Sequence, residues 1–76
     1  GQFATMIEQI DDHIKLERRW AHNLAHKAED AGYEAVHQKL HEAQHMLDDV
    51  RAVLDDAKDA LDEDAAAATN FDVKLV

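Results

Sequence analysis

The feature that most constrains the fold is an uninterrupted heptad pattern in the second half of the chain. Apolar residues recur there at alternating steps of four and three: Val36, Leu40, Ala43, Leu47, Val50, Leu54, Ala57 and Leu61. This spacing predicts a long helix with one apolar stripe. Because a single helix in water cannot cover such a stripe, the pattern requires a partner helix, in this chain or in a second copy.

The first half of the chain continues the same spacing. Its apolar residues are Phe3, Ile7, Ile10, Ile14, Ala21, Leu24, Ala28 and Ala31, with Glu17 at the one polar place in the series. Gly32 is the only interior glycine and ends a helix at low cost. We therefore predict an all-α antiparallel hairpin over 1–68, with a helix at about 3–31, a turn at 32 and a helix at about 33–68. The alternative is one continuous helix, since a helical Gly costs only about 1 kcal/mol.

The apolar surface of this hairpin is wider than one helix pair can bury. In an antiparallel hairpin turning at Gly32, facing residue numbers sum to about 64, and Met6, Trp20, Met46, Val53, Ala60 and Ala67 widen the seam on one side. We therefore predict a homodimer that forms a four-helix bundle. The predicted interface residues are Ile7, Ile10, Ile14, Trp20, Leu24, Leu40, Met46, Leu47, Val50, Val53, Leu54 and Leu61.

Composition sets further limits. A chain of 76 residues has a thin core, and without Cys it has only oligomerisation or a metal to reinforce that core. The net charge of -9 argues against a nucleic-acid partner. No segment has the roughly 20 apolar residues of a membrane span, so we expect no membrane partner and a soluble protein, with the cytoplasm as the favoured compartment.

Histidine is the compositional anomaly. Five of the six fall at one-turn intervals: His22, His26, His37, His41 and His45. Two His at i and i+4 can chelate one divalent cation. The heptad positions place all five on the outer side of the hairpin, so we expect no convergence within one hairpin. A solvated polar face, a pH-responsive surface and a zinc or iron site all stay open, the candidate ligands being His22, His26, His37, His41, Glu42 and His45.

The segment His41-Glu42-Ala43-Gln44-His45 resembles the zinc-binding helix of zincin metalloproteases. The resemblance implies zinc bound by the two His and Glu42 as general base, but it covers five residues and no third His follows at the family's spacing. Glu42 to His45 and Glu34 to His37 are also similar to the Glu-x-x-His ligand pairs of ferritin-like di-iron bundles. That resemblance implies a further carboxylate, for which Glu17 and Glu29 are the candidates.

Three other segments bear on partners. His13 and Glu17 lie one turn apart on the apolar side, as a structural pair or as a metal or proton-linked site at a dimer axis. An acidic run covers residues 48–64 and either stays solvated or docks a basic protein. At 69–76, Phe71, Val73 and Leu75 alternate with Asp72 and Lys74, which predicts an extended or disordered tail able to add to another protein's sheet edge.

The function predicted from these observations is a non-catalytic module for oligomerisation and protein interaction. There is no Cys, no Ser and no glycine-rich phosphate loop, so we expect no catalytic residues and no cofactor. The alternative is a small metal-binding bundle.

Overall fold

The chain folds as two antiparallel helices. The computed structural model describes the backbone of residues 1–75 and the side chains of residues 1–68. Helix α1 spans Gln2–Asp30 and helix α2 spans Glu34–Leu75, with packing between them along the length of α1. The predicted all-α hairpin is therefore confirmed, and the alternative of one continuous helix is wrong. No helix in the described residues has the length and apolarity needed to cross a bilayer.

Gly32 makes the reversal between the helices. Its φ of +79° lies in the left-handed region, and it is flanked by backbone hydrogen bonds that close the end of α1. The Tyr33 amide donates to the Ala28 carbonyl at 2.8 Å, and the Gly32 amide donates to the Glu29 carbonyl at 3.0 Å. This pair of bonds is a Schellman motif, which satisfies carbonyls that the helix end would otherwise leave unpaired.

Helix α2 is longer than predicted. Its backbone stays helical to Leu75, whereas the alternating pattern predicts an extended segment from residue 69. The extended tail is thus not seen over 69–75, and Val76 lies outside the described residues. The physical reason is that four consecutive Ala precede this segment and no Gly or Pro interrupts it, so each further residue adds one helical hydrogen bond. With 42 residues against 29, α2 passes the start of α1 by about 20 Å.

The predicted register is close to the observed one. Ion pairs join Arg18 to Asp48 and Glu8 to Lys58, and in both the residue numbers sum to 66. The Cα atoms extend over 67 × 16 × 9 Å, so the hairpin is one helix layer thick. A single layer leaves both of its broad faces without a packing partner within the chain.

The two helices face each other through a set of residues that differs in part from the one predicted. Most of the predicted seam is covered as expected: Ala28 is buried, and Ile7, Ile14, Ala21, Leu40, Ala43, Leu47, Leu54, Ala57 and Leu61 are half-buried. Five large residues of the predicted seam, however, are exposed: Phe3, Ile10, Leu24, Val36 and Val50. Their places at the seam are taken by the next residues along each helix, among them Asp11, Arg18, Ala25, His37, Gln44, Arg51 and Lys58. Cross-helix ion pairs at these positions account for the rotation, because they need the two helices to meet there.

Candidate functional site: an open apolar face and a histidine groove

One broad side of the hairpin is apolar and uncovered. Its large exposed side chains, here called the apolar face, are Phe3, Met6, Ile10, Trp20, Leu24, Val36, Met46, Val50 and Val53. Trp20 is 60% exposed, Met46 69% and Val53 65%. By contrast, Ala25 and Ala28 are the buried hydrophobic residues of the described part of the chain. Most of the hydrophobic material of this hairpin therefore lies outside its own core.

The predicted interface residues divide between the two surfaces. Half of them lie half-buried at the seam: Ile7, Ile14, Leu40, Leu47, Leu54 and Leu61. The other half lie on the apolar face: Ile10, Trp20, Leu24, Met46, Val50 and Val53. On α1 a shallow cavity of about 360 Å³ interrupts this face and is lined by Met6, Gln9, Ile10, His13 and Ile14. The polar intruder His13 thus lies within the apolar surface.

Asp11 is the centre of the polar half of the seam. Its side chain is 5% exposed, yet it is surrounded by cations from both helices. Arg51 donates from Nε to Asp11 Oδ1 at 3.2 Å, while Lys15 Nζ lies 3.5 Å and Lys58 Nζ 4.0 Å from Oδ2. A second cross-helix pair is bidentate, with Arg18 donating from Nε and Nη2 to the two carboxylate oxygens of Asp48 at 2.5 and 3.2 Å.

These pairs shift the ionisation of the carboxylates. Burial raises the pKa of Asp11, but the hydrogen bond and charge of Arg51, together with Lys15, outweigh it and lower the pKa below its ordinary value. The Arg18 hydrogen bond lowers the pKa of Asp48 in the same direction. The hydrogen bond to Glu8 raises the pKa of Lys58. The charged forms are favoured in each case, so this half of the seam is an ionic clasp.

The other broad side of the hairpin carries a groove lined by histidines from both helices. The histidine groove has a volume of about 220 Å³ and is formed by His22, Ala25, His26, His37, His41 and Gln44. The four histidines therefore share one cavity, which the sequence did not predict. Their ring nitrogens are not gathered at one point, because among the described residues no three histidines have ligand atoms within 4.8 Å of one another.

Two of the histidines have defined partners. His37 Nδ1 lies 3.0 Å from the Ala25 carbonyl oxygen and 3.8 Å from Glu29 Oε2. Since a carbonyl can only accept, Nδ1 is the donor, and in the neutral imidazole this leaves the lone pair on Nε2. His41 and His45 approach each other with their Nε2 atoms 3.2 Å apart. His45 does not line the groove but extends the histidine row from its edge.

Gln44 forms part of the groove and is 6% exposed. Its side-chain Nε2 has no hydrogen-bond partner among the described residues. A buried amide donor without a partner is costly and calls for an explanation. Gln44 lies within the sequence motif that resembles a zincin helix, but its own burial could be found only by locating the true seam.

Glu42 is separated from the histidines that were predicted to share a metal with it. It is exposed and pairs with Lys39 at 3.2 Å, so its carboxylate is engaged away from the groove. Glu29 is the acidic residue that the structure brings near a histidine of α2. A separate acidic group, Glu8, Asp11 and Asp12, has carboxylate oxygens within 4.8 Å of one another. Lysine and arginine side chains already neutralise that group.

The geometry thus offers two surfaces on opposite sides of one layer. Within each helix, residues on either side of a seam residue diverge by about 100° in each direction. Trp20 and His22, which flank Ala21, consequently project to opposite broad faces. Comparison with protein families, with curated proteins and with solved structures found no match to this chain.

Proposed function

We propose that this chain is a self-association module in which two hairpins pack their apolar faces together as a four-helix bundle. The observation that carries the proposal is the exposure of the apolar face, whose largest members, such as Trp20, are more than half exposed. Monomeric proteins rarely leave contiguous apolar surface of this extent open to water. A second copy is the occupant that this face fits best, for reasons of area, register and charge.

The face has the area that a stable dimer requires. On α1 it runs from Phe3 to Leu24, which is about 30 Å at 1.5 Å per residue. Two helices side by side are about 20 Å wide, so the projected area is about 600 Å² per copy. The accessible area of the face is larger than its projected area, because side chains protrude from the helices. The accessible area therefore approaches the roughly 800 Å² per partner of standard interfaces.

The order of residues along the face favours an antiparallel two-fold arrangement, in which α1 packs on α1 and α2 on α2 of the second copy. If the axis passes at residue 13 of α1 and residue 50 of α2, apolar residues meet apolar residues. The resulting pairs are Phe3 with Leu24, Met6 with Trp20, Ala43 with Ala57, Met46 with Val53, and Val50 with its own copy. The two axis positions also face each other within one hairpin, since 13 and 50 sum to nearly 64. Ile10 with Glu17 is the mismatched pair, and His13 meets its own copy.

Charge supports the same orientation. An antiparallel axis brings the turn-proximal Lys39 of one copy to the level of Asp62 and Glu63 of the other. A parallel arrangement would instead place the two acidic ends together, which is unfavourable in a chain with a net charge of -9. Isologous antiparallel association therefore keeps the acidic ends of the two copies apart.

Single-cysteine variants test both association and orientation. The chain has no Cys, so each variant carries one thiol. Val50→Cys is expected to form a covalent dimer on oxidation, because residue 50 faces its own copy and disulfides need Cα atoms about 4.4 to 6.8 Å apart. Val53→Cys is the matched control, since its counterpart is Met46 and two thiols at 53 lie on different turns. The Met46→Cys, Val53→Cys double variant is expected to cross-link again.

Non-reducing electrophoresis and sedimentation equilibrium provide the readouts. A wild-type protein that sediments as a monomer at all accessible concentrations would refute the proposal. Cross-linking of Val53→Cys with none of Val50→Cys would retain association but refute the antiparallel register.

A further inference from the structure

We propose that the histidine groove binds one divalent transition-metal cation of the Zn²⁺ class, held between the two helices by imidazoles from both. The ligands are drawn from His22 and His26 of α1 and His37 and His41 of α2, which line the same cavity. This site lies on the broad face opposite the apolar face. It is therefore independent of the self-association proposed above, and each can fail without the other.

The spacing of the ligands matches the chemistry of such a cation. Each helix contributes a pair at i and i+4, whose side chains project in the same direction. In the hairpin register His22 is level with His41, and His26 is level with His37, so the two pairs face each other across the groove. Zn²⁺ prefers four tetrahedral ligands, with bonds of about 2.0–2.1 Å to nitrogen, so three of these imidazoles and one water complete its coordination.

His37 already has the arrangement of a metal ligand. Its Nδ1–H donates to the Ala25 carbonyl at 3.0 Å, which fixes the tautomer with the lone pair on Nε2. Metal-binding histidines are commonly oriented in this way, by a backbone carbonyl or carboxylate on the ring nitrogen that does not bind the ion. Glu29, 3.8 Å from the same Nδ1, adds negative charge behind the ring and strengthens it as a ligand.

Gln44 is the second, independent observation. It is more than nine-tenths buried, it lines the groove, and its amide nitrogen has no partner among the described residues. A water or hydroxide on the cation would accept a hydrogen bond from this amide, which would then have a partner. The orphaned donor is thus explained if the groove holds a hydrated cation.

The rings of each helix are close to one another, but binding requires them to turn toward the opposite helix, since no three histidines of the described residues have ligand atoms within 4.8 Å of one another. The ring centroids of His22 and His26 lie 4.4 Å apart, and those of His37 and His41 lie 6.3 Å apart. Three of the four side chains are exposed and can change rotamer without disturbing a core. His37 is the fixed member of the set, toward which the others turn.

A competing site exists on α2 alone. The Nε2 atoms of His41 and His45 are 3.2 Å apart, close to the spacing of two ligands on one tetrahedral ion with bonds of about 2.05 Å. A cation bound there would contact one helix and would not join the two. The two sites share His41 but differ in their need for His22, His37 and His45, so substitution separates them.

The test is titration of the untagged full-length chain with Zn²⁺ by calorimetry at pH 7.5, repeated with Co²⁺ as a spectroscopic probe. We expect one Zn²⁺ per chain and a tetrahedral Co²⁺ absorption band. His22→Gln and His37→Gln should each weaken binding at least about tenfold, the loss that even outer-shell changes cause. His45→Gln and His13→Gln are the matched controls outside the groove and should leave the affinity unchanged. At the same Zn²⁺ concentration the rise in Tm should be smaller for His22→Gln than for the wild type, because a weaker Kd for the folded state gives less stabilisation.

Two results would overturn the proposal. One is the absence of saturable Zn²⁺ binding. The other is loss of binding in His45→Gln with none in His22→Gln, which would assign the cation to the chelate on α2. Circular dichroism of each variant without metal checks that the hairpin remains folded, which is expected for an exposed residue such as His22.

Discussion

Substitution of Trp20 by Ala tests the energy of the proposed dimer. Trp20 is 60% exposed in the hairpin, so little of its packing within one chain is lost on truncation. A Trp side chain offers up to about 250 Å², of which about 150 Å² is then free to be buried by a partner, worth up to about 4 kcal/mol per copy. Association costs reduce this gain, and truncation at interface hot spots costs about 2 kcal/mol or more. For two copies we expect a loss of about 4 kcal/mol, on the order of a thousandfold in Kd.

Sedimentation equilibrium over a range of concentrations measures this change, with helicity followed by circular dichroism in the same samples. Tyr33→Ala is the control, because Tyr33 is an aromatic residue of similar exposure, 65%, that lies at the turn beyond the end of the apolar face. It should leave Kd nearly unchanged. A shift below about tenfold for Trp20→Ala, equivalent to about 1.4 kcal/mol, would refute the assignment of Trp20 to the interface.

Three further predictions concern the hairpin itself. Gly32→Ala should lower the free energy of unfolding by about 1–2 kcal/mol in urea titrations, because a residue with a Cβ is strained at a φ of +79°. The strain comes from the backbone conformation alone, since no neighbouring atom lies within 4 Å of the added Cβ. An unchanged urea midpoint would contradict the assigned turn. Folding lowers the pKa values of Asp11 and Asp48, so both carboxylates stabilise the folded state when they are ionised. This stabilisation is complete at a pH above about 3.9, the pKa of Asp in the unfolded chain, and it is lost as the pH falls through the lower pKa values of the folded state. Asp48→Asn should flatten the decrease in urea midpoint below about pH 4, and an unaltered acid profile would exclude the Arg18 pair as its cause. Gln44→Met, measured in chelator, should raise the free energy of unfolding by about 1 kcal/mol because it removes a buried unpaired amide, and destabilisation would indicate a hydrogen-bond partner for Gln44.

The parts of the fold that depend on local chemistry could be predicted from the sequence. Heptad spacing specifies helices, the single interior Gly specifies the reversal, and the position of the reversal specifies which residues face each other. The pairing of Arg18 with Asp48 follows directly from that register. Each of these inferences uses only neighbours along the chain or a simple count from Gly32.

The rotation of the helices about their own axes could not be predicted in the same way. Counting apolar residues assigns the seam to the most hydrophobic stripe, and it treats Asp11 and Lys58 as exposed. In the structure these residues pair across the seam, which brings the positions after Ile10, Leu24, Val36 and Val50 between the helices in their place. The histidine groove was missed for the same reason, since its geometry depends on that rotation.

The tail shows a different limit of pattern reading. Alternation of apolar and polar residues over a few positions is compatible with a strand. A segment this short can equally continue a helix that began before it. The preceding Ala residues supply that helix, and its backbone continues to Leu75.

The three-residue reversal at Gly32 has a consequence for how the molecule is made. Contacts across such a short connection have small sequence separation near the turn, so the two helices can find each other by closing a small loop, an event of submicrosecond scale for about ten residues. The association of two copies proposed above is instead a bimolecular step, whose rate depends on protein concentration. Refolding should accordingly resolve into a fast phase independent of concentration and a slower phase that accelerates with it. A newly made chain could thus form its cross-helix ion pairs within one copy, before the proposed association covers Trp20.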